Sequence, residues 1–169
     1  MYPASIREYH RPKTVEVAVK IFKSSSGETA YIAGGMSLMQ AIKSRFVRRD
    51  CLIDLNDIKA LRQMETDSDS YRLGAMMRYC DIADQAERLG PYRIFSDAAR
   101  HVGDRQVRHR GTIGGSLCWN YVAACTPVAA LAAGAELEIL RARGWRRRTT
   151  ISIDDFLTSP MDNALQAGD

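Results

Sequence analysis

Two pairs of adjacent glycines, Gly34-Gly35 and Gly114-Gly115, constrain most strongly how this chain can fold. The first pair follows the short apolar segment Ala30 to Ala33 and precedes an amphipathic segment from Ser37 to Phe46. Glycine adopts backbone conformations that other residues rarely adopt, and it lets another group approach the main chain closely. We therefore predict a strand that passes through a tight glycine loop into a helix.

The first third of the chain has the pattern of an α/β layer. A helix is predicted from Thr14, which can cap it, to Lys23, and a buried strand is predicted from Cys51 to Leu55. With the strand and helix around Gly34-Gly35, the order is α, β, α, β. Near Asn56 to Leu61 the pattern changes, so we predict a seam between two subdomains of about residues 1–57 and 58–169.

The remainder of the chain mixes helices with β-hairpins, so the predicted fold class is α/β (α+β) within a single domain of residues 1–169. Asp67 to Ser70 resembles a hairpin turn that leads into a strand. The other predicted elements are helices at Cys80–Arg88, Tyr92–Val102 and Pro127–Ala133, a loop at Arg105–Arg110, and a hairpin of Glu136–Leu140 with Arg146–Ile153 across Arg143-Gly144.

Composition excludes several functional classes. The 169 residues are 46% hydrophobic and 26% charged, with a net charge of +4. No apolar run reaches the ~18 residues that a membrane span needs. Charged residues stand where a signal peptide would be apolar, so a cytoplasmic location is expected. The late arginines are interleaved with a single stacking aromatic, Trp145, which argues against nucleic acid as a partner.

The cysteines and histidines do not form a recognisable metal-binding pattern. Cys51, Cys80, Cys118 and Cys125 include no Cys-x-x-Cys pair, and the three histidines do not complete a ligand set. We therefore expect this chain to hold no metal and to contribute no catalytic residue of its own.

The chemistry of the glycine segments points to a phosphate-bearing ligand. Successive exposed N–H groups form an anion-binding nest, and a helix N-terminus favours a phosphate. Ala33 to Leu38 and Thr112 to Ser116 both carry a serine beside the glycine pair. Neither segment is a Gly-x-Gly-x-x-Gly fingerprint or a P-loop. Two tight turns without a ligand are the structural alternative; two loops that bind a ligand with two phosphates are the functional one.

The same segments resemble the flavin loops of the FAD-binding domain in the flavin subunit of molybdenum hydroxylases, the xanthine dehydrogenase and carbon monoxide dehydrogenase type. Ala33-Gly34-Gly35-Met36-Ser37-Leu38 resembles the first loop, and Arg110-Gly111-Thr112-Ile113-Gly114-Gly115-Ser116-Leu117 resembles the second. Ile53-Asp54-Leu55-Asn56 and Leu73-Gly74-Ala75-Met76 resemble strands of that family. The resemblance extends from Tyr9 to about Ile153.

The resemblance implies a two-subdomain FAD-binding fold of the PCMH/vanillyl-alcohol-oxidase type. Ala33 to Leu38, Thr112 to Ser116 and Asn120 would bind FAD, mostly through backbone N–H groups, with Ile113 and Leu117 near the ring system. It further implies a molybdopterin-binding large subunit and a small subunit with [2Fe-2S] clusters. Electrons would pass from those clusters to FAD and then to an external acceptor.

Three residues depart from the family pattern, and so does the length. Tyr121 and Cys125 stand where the family often has acidic residues, and Met77 stands where threonine is usual. The family's separate C-terminal domain is absent from these 169 residues, so that domain is expected on another polypeptide or in a longer form of this one. A flavin-free assembly subunit of such a complex is therefore the alternative function. A nucleotide-binding module outside this redox family is a third, less favoured by the two-loop match.

Overall fold

A three-stranded parallel sheet forms the first part of the fold in the computed structural model, which describes residues 6–67, 70–141 and 148–169. Its strands are β1 (Glu8–His10), β2 (Thr29–Ile32) and β3 (Cys51–Asp54), in the order β1-β3-β2. All four residues of the central strand β3 are buried. The parallel register brings the carboxyl ends of all three strands to one edge, where ligands bind in open α/β sheets.

Two helices connect these strands. Helix α1 (Val15–Ser24) begins after Thr14, whose hydroxyl accepts a hydrogen bond from the N–H of Val17, so the predicted cap is confirmed. Helix α2 (Leu38–Lys43) is shorter than predicted, because Arg45 has a left-handed φ of 62° just after it. Phe46, the last residue of the predicted helix, lies beyond the end of α2 and is 76% exposed.

Two short 3₁₀ turns, Leu55–Asp57 and Lys59–Arg62, follow β3 and lead into the second part, which contains two antiparallel hairpins. One pairs β4 (Met64–Thr66) with β5 (Tyr71–Leu73), and the other pairs β6 (Glu136–Leu140) with β7 (Arg148–Ser152). Both hairpins are confirmed. The predicted turn residue Asp69 and the predicted turn Arg143-Gly144 lie outside the described residues.

Helices fill the space between the hairpins. The predicted loop at Arg105–Arg110 is wrong: these residues form a helix, because the carboxylate of Asp104 accepts hydrogen bonds from the N–H groups of Gln106 and Val107 and caps it. The predicted helix at Cys80–Arg88 is also too long, since its helical part ends at Ala83. In chain order the helices are α3 (Tyr79–Ala83), α4 (Ile94–His101), α5 (Arg105–Arg110), α6 (Ile113–Trp119), α7 (Cys125–Ala132) and α8 (Ile153–Phe156), and a 3₁₀ turn at Gly90–Tyr92 precedes α4.

The buried apolar side chains form two clusters, and along the chain the change from one to the other falls between Leu61 and Met64. The smaller one packs α1 against the parallel sheet and is centred on Ala18, Cys51, Ile53 and Ile58. The larger one fills the space between the hairpins and helices α3, α4, α6, α7 and α8, with Leu89, Ile153 and Phe156 among its fully buried members. The glycine segments lie where these two packed units meet.

Candidate functional site

The first glycine segment leaves the sheet at the carboxyl end of β2. Gly35 has a φ of +75°, a left-handed conformation that favours glycine. The segment is anchored from behind by Asn56, whose amide donates a hydrogen bond of 2.8 Å to the carbonyl of Ala33. This anchor fixes where the loop leaves the strand, so its N–H groups have a defined direction.

The N–H groups of this loop are uncommitted. In the described ranges, none of the N–H groups from Gly34 to Leu38 donates a hydrogen bond within the chain. Ser37 stands at the N-terminus of α2, is exposed, and makes no capping bond with its hydroxyl. Adjacent unpaired N–H groups with a free hydroxyl provide the donor set that a phosphate group requires. The residues of this loop therefore fit the diphosphate of FAD.

The structure brings the two glycine segments into direct contact. A Cβ atom added to Gly34 would overlap the carbonyl oxygen of Arg110, and it would lie 3.0 Å from the Cα of Gly111. A Cβ added to Gly115 would lie 3.6 Å from the Cβ of Ala33. Segments about 80 residues apart in sequence thus share one site, as the two-loop hypothesis requires.

The second segment differs from the first, because its N–H groups serve the fold. It is the first turn of α6, and the N–H groups of Ile113 and Gly114 donate to the carbonyls of Met77 and Ala75. The N–H groups of Gly115 and Ser116 donate to the hydroxyl and carbonyl of Thr112. The groups here without a hydrogen bond in the described chain include the Ser116 hydroxyl. A direct contact of this turn with FAD stays a prediction.

Thr112 caps α6 and is only 2% exposed. Replacing it with valine keeps the side-chain shape but leaves the N–H of Gly115 without its acceptor. We expect the free energy of unfolding to fall by about 1–2 kcal/mol. Thr112→Ser retains the acceptor and is the matched control. Equal stability of the valine and serine variants in urea unfolding would show that the cap contributes nothing.

Asn120 ends α6 in a left-handed conformation, with a φ of 44°. Its side-chain amide donates to the backbone carbonyl oxygens of Ser159 (2.8 Å) and Asp162 (2.9 Å), and its backbone carbonyl accepts a hydrogen bond from the N–H of Met161. Both amide protons are therefore used to hold the C-terminal segment. The predicted contact of Asn120 with FAD would have to use its remaining side-chain oxygen, and it stays a prediction.

Two apolar residues predicted near the flavin ring lie mainly in the protein core. Ile113 and Leu117 are 6% and 8% exposed and belong to the larger apolar cluster. Met77, which departs from the family pattern, is 4% exposed in the same cluster. Its place in the core accounts for an apolar side chain at that position.

A polar cavity of about 420 Å³ lies at the carboxyl ends of β1 and β3, beside the glycine segments. In its wall, the carboxylate of Asp54 accepts hydrogen bonds from the Tyr9 hydroxyl and from the backbone N–H and the side-chain amide of Asn56. The residues of this cavity come from positions between 9 and 110. Because they are far apart in sequence, their spacing does not predict the cavity. Its walls consist of Tyr9, Arg11, Asp54, Asn56, Asp57, Arg62, Arg78 and Arg110.

The Asp54 network makes stability depend on pH. Burial raises the pKa of Asp54, but hydrogen bonds from Tyr9 and Asn56 and the nearby Arg11 guanidinium outweigh burial and hold the pKa below 3.8. A lowered folded-state pKa stabilises the protein above the unfolded-state value and loses that contribution as pH falls through the folded-state value. We expect urea unfolding of Asp54→Asn to depend less on pH below about 4. Asp84→Asn, on the exposed end of α3, should retain the wild-type dependence.

One group in the described structure has the side-chain types of a metal site. Ligand atoms of Glu8, His10 and Cys51 lie within 4.8 Å of one another. Cys51 is 1% exposed and packs in the smaller apolar cluster, while His10 already bonds to Glu8 at 3.1 Å. Packing and this bond account for the three residues.

Comparison with known proteins identifies what this arrangement is. The family model described as the FAD binding domain in molybdopterin dehydrogenase matches residues 4–169. The chain belongs to this family. Its mixed helix and strand structure aligns with a chain of carbon monoxide dehydrogenase from Hydrogenophaga pseudoflava with a TM-score of 0.90 at 30% identity. It aligns with quinoline 2-oxidoreductase from Pseudomonas putida 86 with a TM-score of 0.89 at 26% identity.

Two curated relatives are named as parts of dehydrogenases. The chain is 32% identical over 149 residues to the carbon monoxide dehydrogenase medium chain of Hydrogenophaga pseudoflava, covering 88% of this chain and 51% of the relative. It is 29% identical over 160 residues to caffeine dehydrogenase subunit beta of Pseudomonas sp. (strain CBB1), covering 95% and 54%. The two structural alignments cover 99% of this chain and 57% of each solved chain. The chain thus spans about half the length of these relatives.

Two residues that depart from the family's motifs, Tyr121 and Cys125, lie on the surface. Tyr121 and Val122 form an exposed turn after α6, with the N–H of Ala124 bonded to the carbonyl of Tyr121, and Cys125 is an exposed residue at the start of α7. These substitutions therefore alter an accessible surface and leave the core intact.

No helix in the described ranges is long and apolar enough to span a bilayer.

Proposed function

We propose that this chain binds FAD between the two glycine segments and is the flavin-binding part of a medium subunit in a cytoplasmic molybdenum hydroxylase complex. The observation that carries the proposal is the row of uncommitted N–H groups from Gly34 to Leu38, held against the Arg110–Gly111 backbone. Thr112 to Ser116 form the second wall of that site. Asn120 lies at the far end of the same helix.

The roles of the protein groups follow from this geometry. The N–H groups of the first loop and the Ser37 hydroxyl bind phosphate oxygens, while the Asn56 anchor keeps the loop in place. When bound, FAD supplies a ring that accepts electrons and releases them to an acceptor. In the proposed complex, [2Fe-2S] clusters on a small subunit supply those electrons and a molybdopterin-binding large subunit is their source. The protein positions the cofactor, and no side chain of this chain reacts.

The subdomain division is part of the proposal. We assign about residues 1–57 and 58–169 to two subdomains of a PCMH/vanillyl-alcohol-oxidase type fold with FAD in the cleft. The two separate apolar clusters support a division into two parts; along the chain, membership changes from the smaller to the larger cluster between Leu61 and Met64. A separate C-terminal domain would complete the cover over the flavin.

The experiment is purification with the partner subunits, followed by a visible spectrum and identification of the released flavin. Stoichiometric FAD is expected. Gly35→Val should lower FAD content strongly, because a branched side chain is strained at a φ of +75° and crowds Ile32 and Met39. Unchanged FAD content in this variant would show that FAD does not bind at this loop.

A flavin-free assembly subunit is the alternative function, and Tyr121 and Cys125 favour it, because acidic residues are frequent at these places in the family. A stoichiometric complex without flavin would establish this alternative. Tyr121→Asp and Cys125→Asp together would then be expected to restore FAD binding if these positions alone prevent it.

A further inference from the structure

The polar cavity beside the glycine segments carries more positive than negative charge. Four arginines and two aspartates line it, which leaves a formal charge of +2. Arg11 pairs with Asp57 at 2.6 Å and lies 3.7 Å from Asp54, so both carboxylates already have a partner. Arg62 donates to the side-chain oxygen of Asn56. Arg62, Arg78 and Arg110 therefore have no carboxylate partner within the cavity.

Arg78 and Arg110 are uncompensated. In residues 6–67, 70–141 and 148–169, neither guanidinium makes an ion pair or a hydrogen bond. Arg78 is half-buried, whereas Arg110 is exposed. A guanidinium without a carboxylate partner is available to an anionic ligand, and its planar donors match phosphate oxygens.

Both arginines are attached to the backbone of the flavin site. Arg110 directly precedes Gly111 and Thr112, and its carbonyl packs against Gly34. Arg78 lies opposite Thr112 in a short antiparallel bridge, held by the bond from the Tyr79 N–H to the Gly111 carbonyl (3.1 Å). The backbone of both arginines is thus held next to the place where the two glycine segments touch, and both side chains line the cavity.

We propose that Arg78 and Arg110 bind the diphosphate of FAD and make this domain select FAD over FMN and riboflavin. This inference rests on the proposed function and adds the group that distinguishes between flavins. The first loop donates N–H groups to one side of the diphosphate, and the arginines neutralise its charge from the cavity. The cavity volume of about 420 Å³ lies in the range of small-molecule sites and exceeds what a lone ion needs.

The test is titration of the deflavinated 169-residue chain with FAD, FMN and riboflavin, followed by flavin fluorescence. Arg78→Gln and Arg110→Gln are each expected to weaken FAD binding about tenfold or more, as loss of a charge-assisted hydrogen bond does. Riboflavin, which has no phosphate, should bind equally to all variants and thereby report that the site is folded. Arg93→Gln removes an exposed arginine that pairs with Asp97 outside the cavity, and it should leave FAD binding unchanged.

ADP distinguishes the source of the diphosphate. Wild-type apoprotein should bind ADP, FAD should displace it, and both arginine variants should lose it. ADP that binds equally well to FAD-saturated protein would assign the arginines to a second nucleotide and overturn the assignment to FAD. Wild-type FAD affinity in both variants would overturn the inference while the proposed function stands. A chain that binds no flavin at all would overturn the proposed function itself.

Discussion

Replacing Gly34 with alanine is expected to abolish FAD binding and to lower the melting temperature of the protein. The new methyl group would overlap the carbonyl oxygen of Arg110 and lie 2.7 Å from its carbonyl carbon. These are backbone atoms, so no side-chain rotation relieves the overlap, and the two glycine segments must separate. Overpacking of this kind costs about 1–3 kcal/mol or more. For a domain of this size that is roughly 2–4 °C for each kcal/mol.

Gly103→Ala is the matched control for this prediction. A Cβ at Gly103 meets nothing within 4 Å, so the same chemical change there adds no contact. Thermal unfolding and FAD content of the two variants should be measured side by side. Gly34→Ala with wild-type melting temperature and full FAD content would show that the close contact between the segments is not required for the site.

The elements that local signals specify were predicted well. The capping threonine and apolar face of α1, the apolar run of β3 and the two hairpins depend on residues adjacent in sequence. Helix α5 was missed although Asp104, a favoured cap, stands directly before it, since its basic residues show no apolar stripe. Strand β1 was missed because three residues at a sheet edge carry too little pattern.

The candidate site likewise has local features, which the sequence predicts, and long-range features, which it does not. Both glycine segments were found from sequence, because glycine pairs and their flanking residues are local. The reason for each glycine was not visible: Gly114 is required by its contact with Ala75, whose carbonyl would lie 2.7 Å from an added Cβ. The polar cavity depends on pairs such as Tyr9 with Asp54, which only the folded sheet brings together. Long-range packing, which spacing does not encode, decides these features.

Replacing Asn120 with alanine is expected to release the C-terminal segment. The substitution removes two hydrogen bonds, to the carbonyls of Ser159 and Asp162, from a residue that is 8% exposed. It also places alanine at a φ of 44°. The two lost bonds contribute about 1–3 kcal/mol, and the left-handed conformation adds about 1–2 kcal/mol. Urea unfolding should show the loss, and hydrogen exchange at the Met161 N–H, which bonds to the Asn120 carbonyl, should locate it.

Asn120→Gly separates the two contributions. Glycine accepts the left-handed backbone but has no amide, so this variant should lose only the hydrogen-bond part of the stability. Equal destabilisation of the glycine and alanine variants would assign the whole effect to the amide. Protection of the Met161 N–H as in the wild type, in both variants, would contradict the role of Asn120 as the anchor of this segment.

The same variants test whether Asn120 also contacts FAD. Asn163→Ala is the control, because its amide binds the Cys118 carbonyl at 2.6 Å and so loosens the same segment without altering Asn120. If Asn120 acts on FAD only by holding this segment, Asn120→Gly and Asn163→Ala should weaken FAD binding in proportion to their effect on segment protection. A loss of FAD affinity in Asn120→Gly beyond that proportion would establish a direct contact, made by the side-chain oxygen that the fold leaves available.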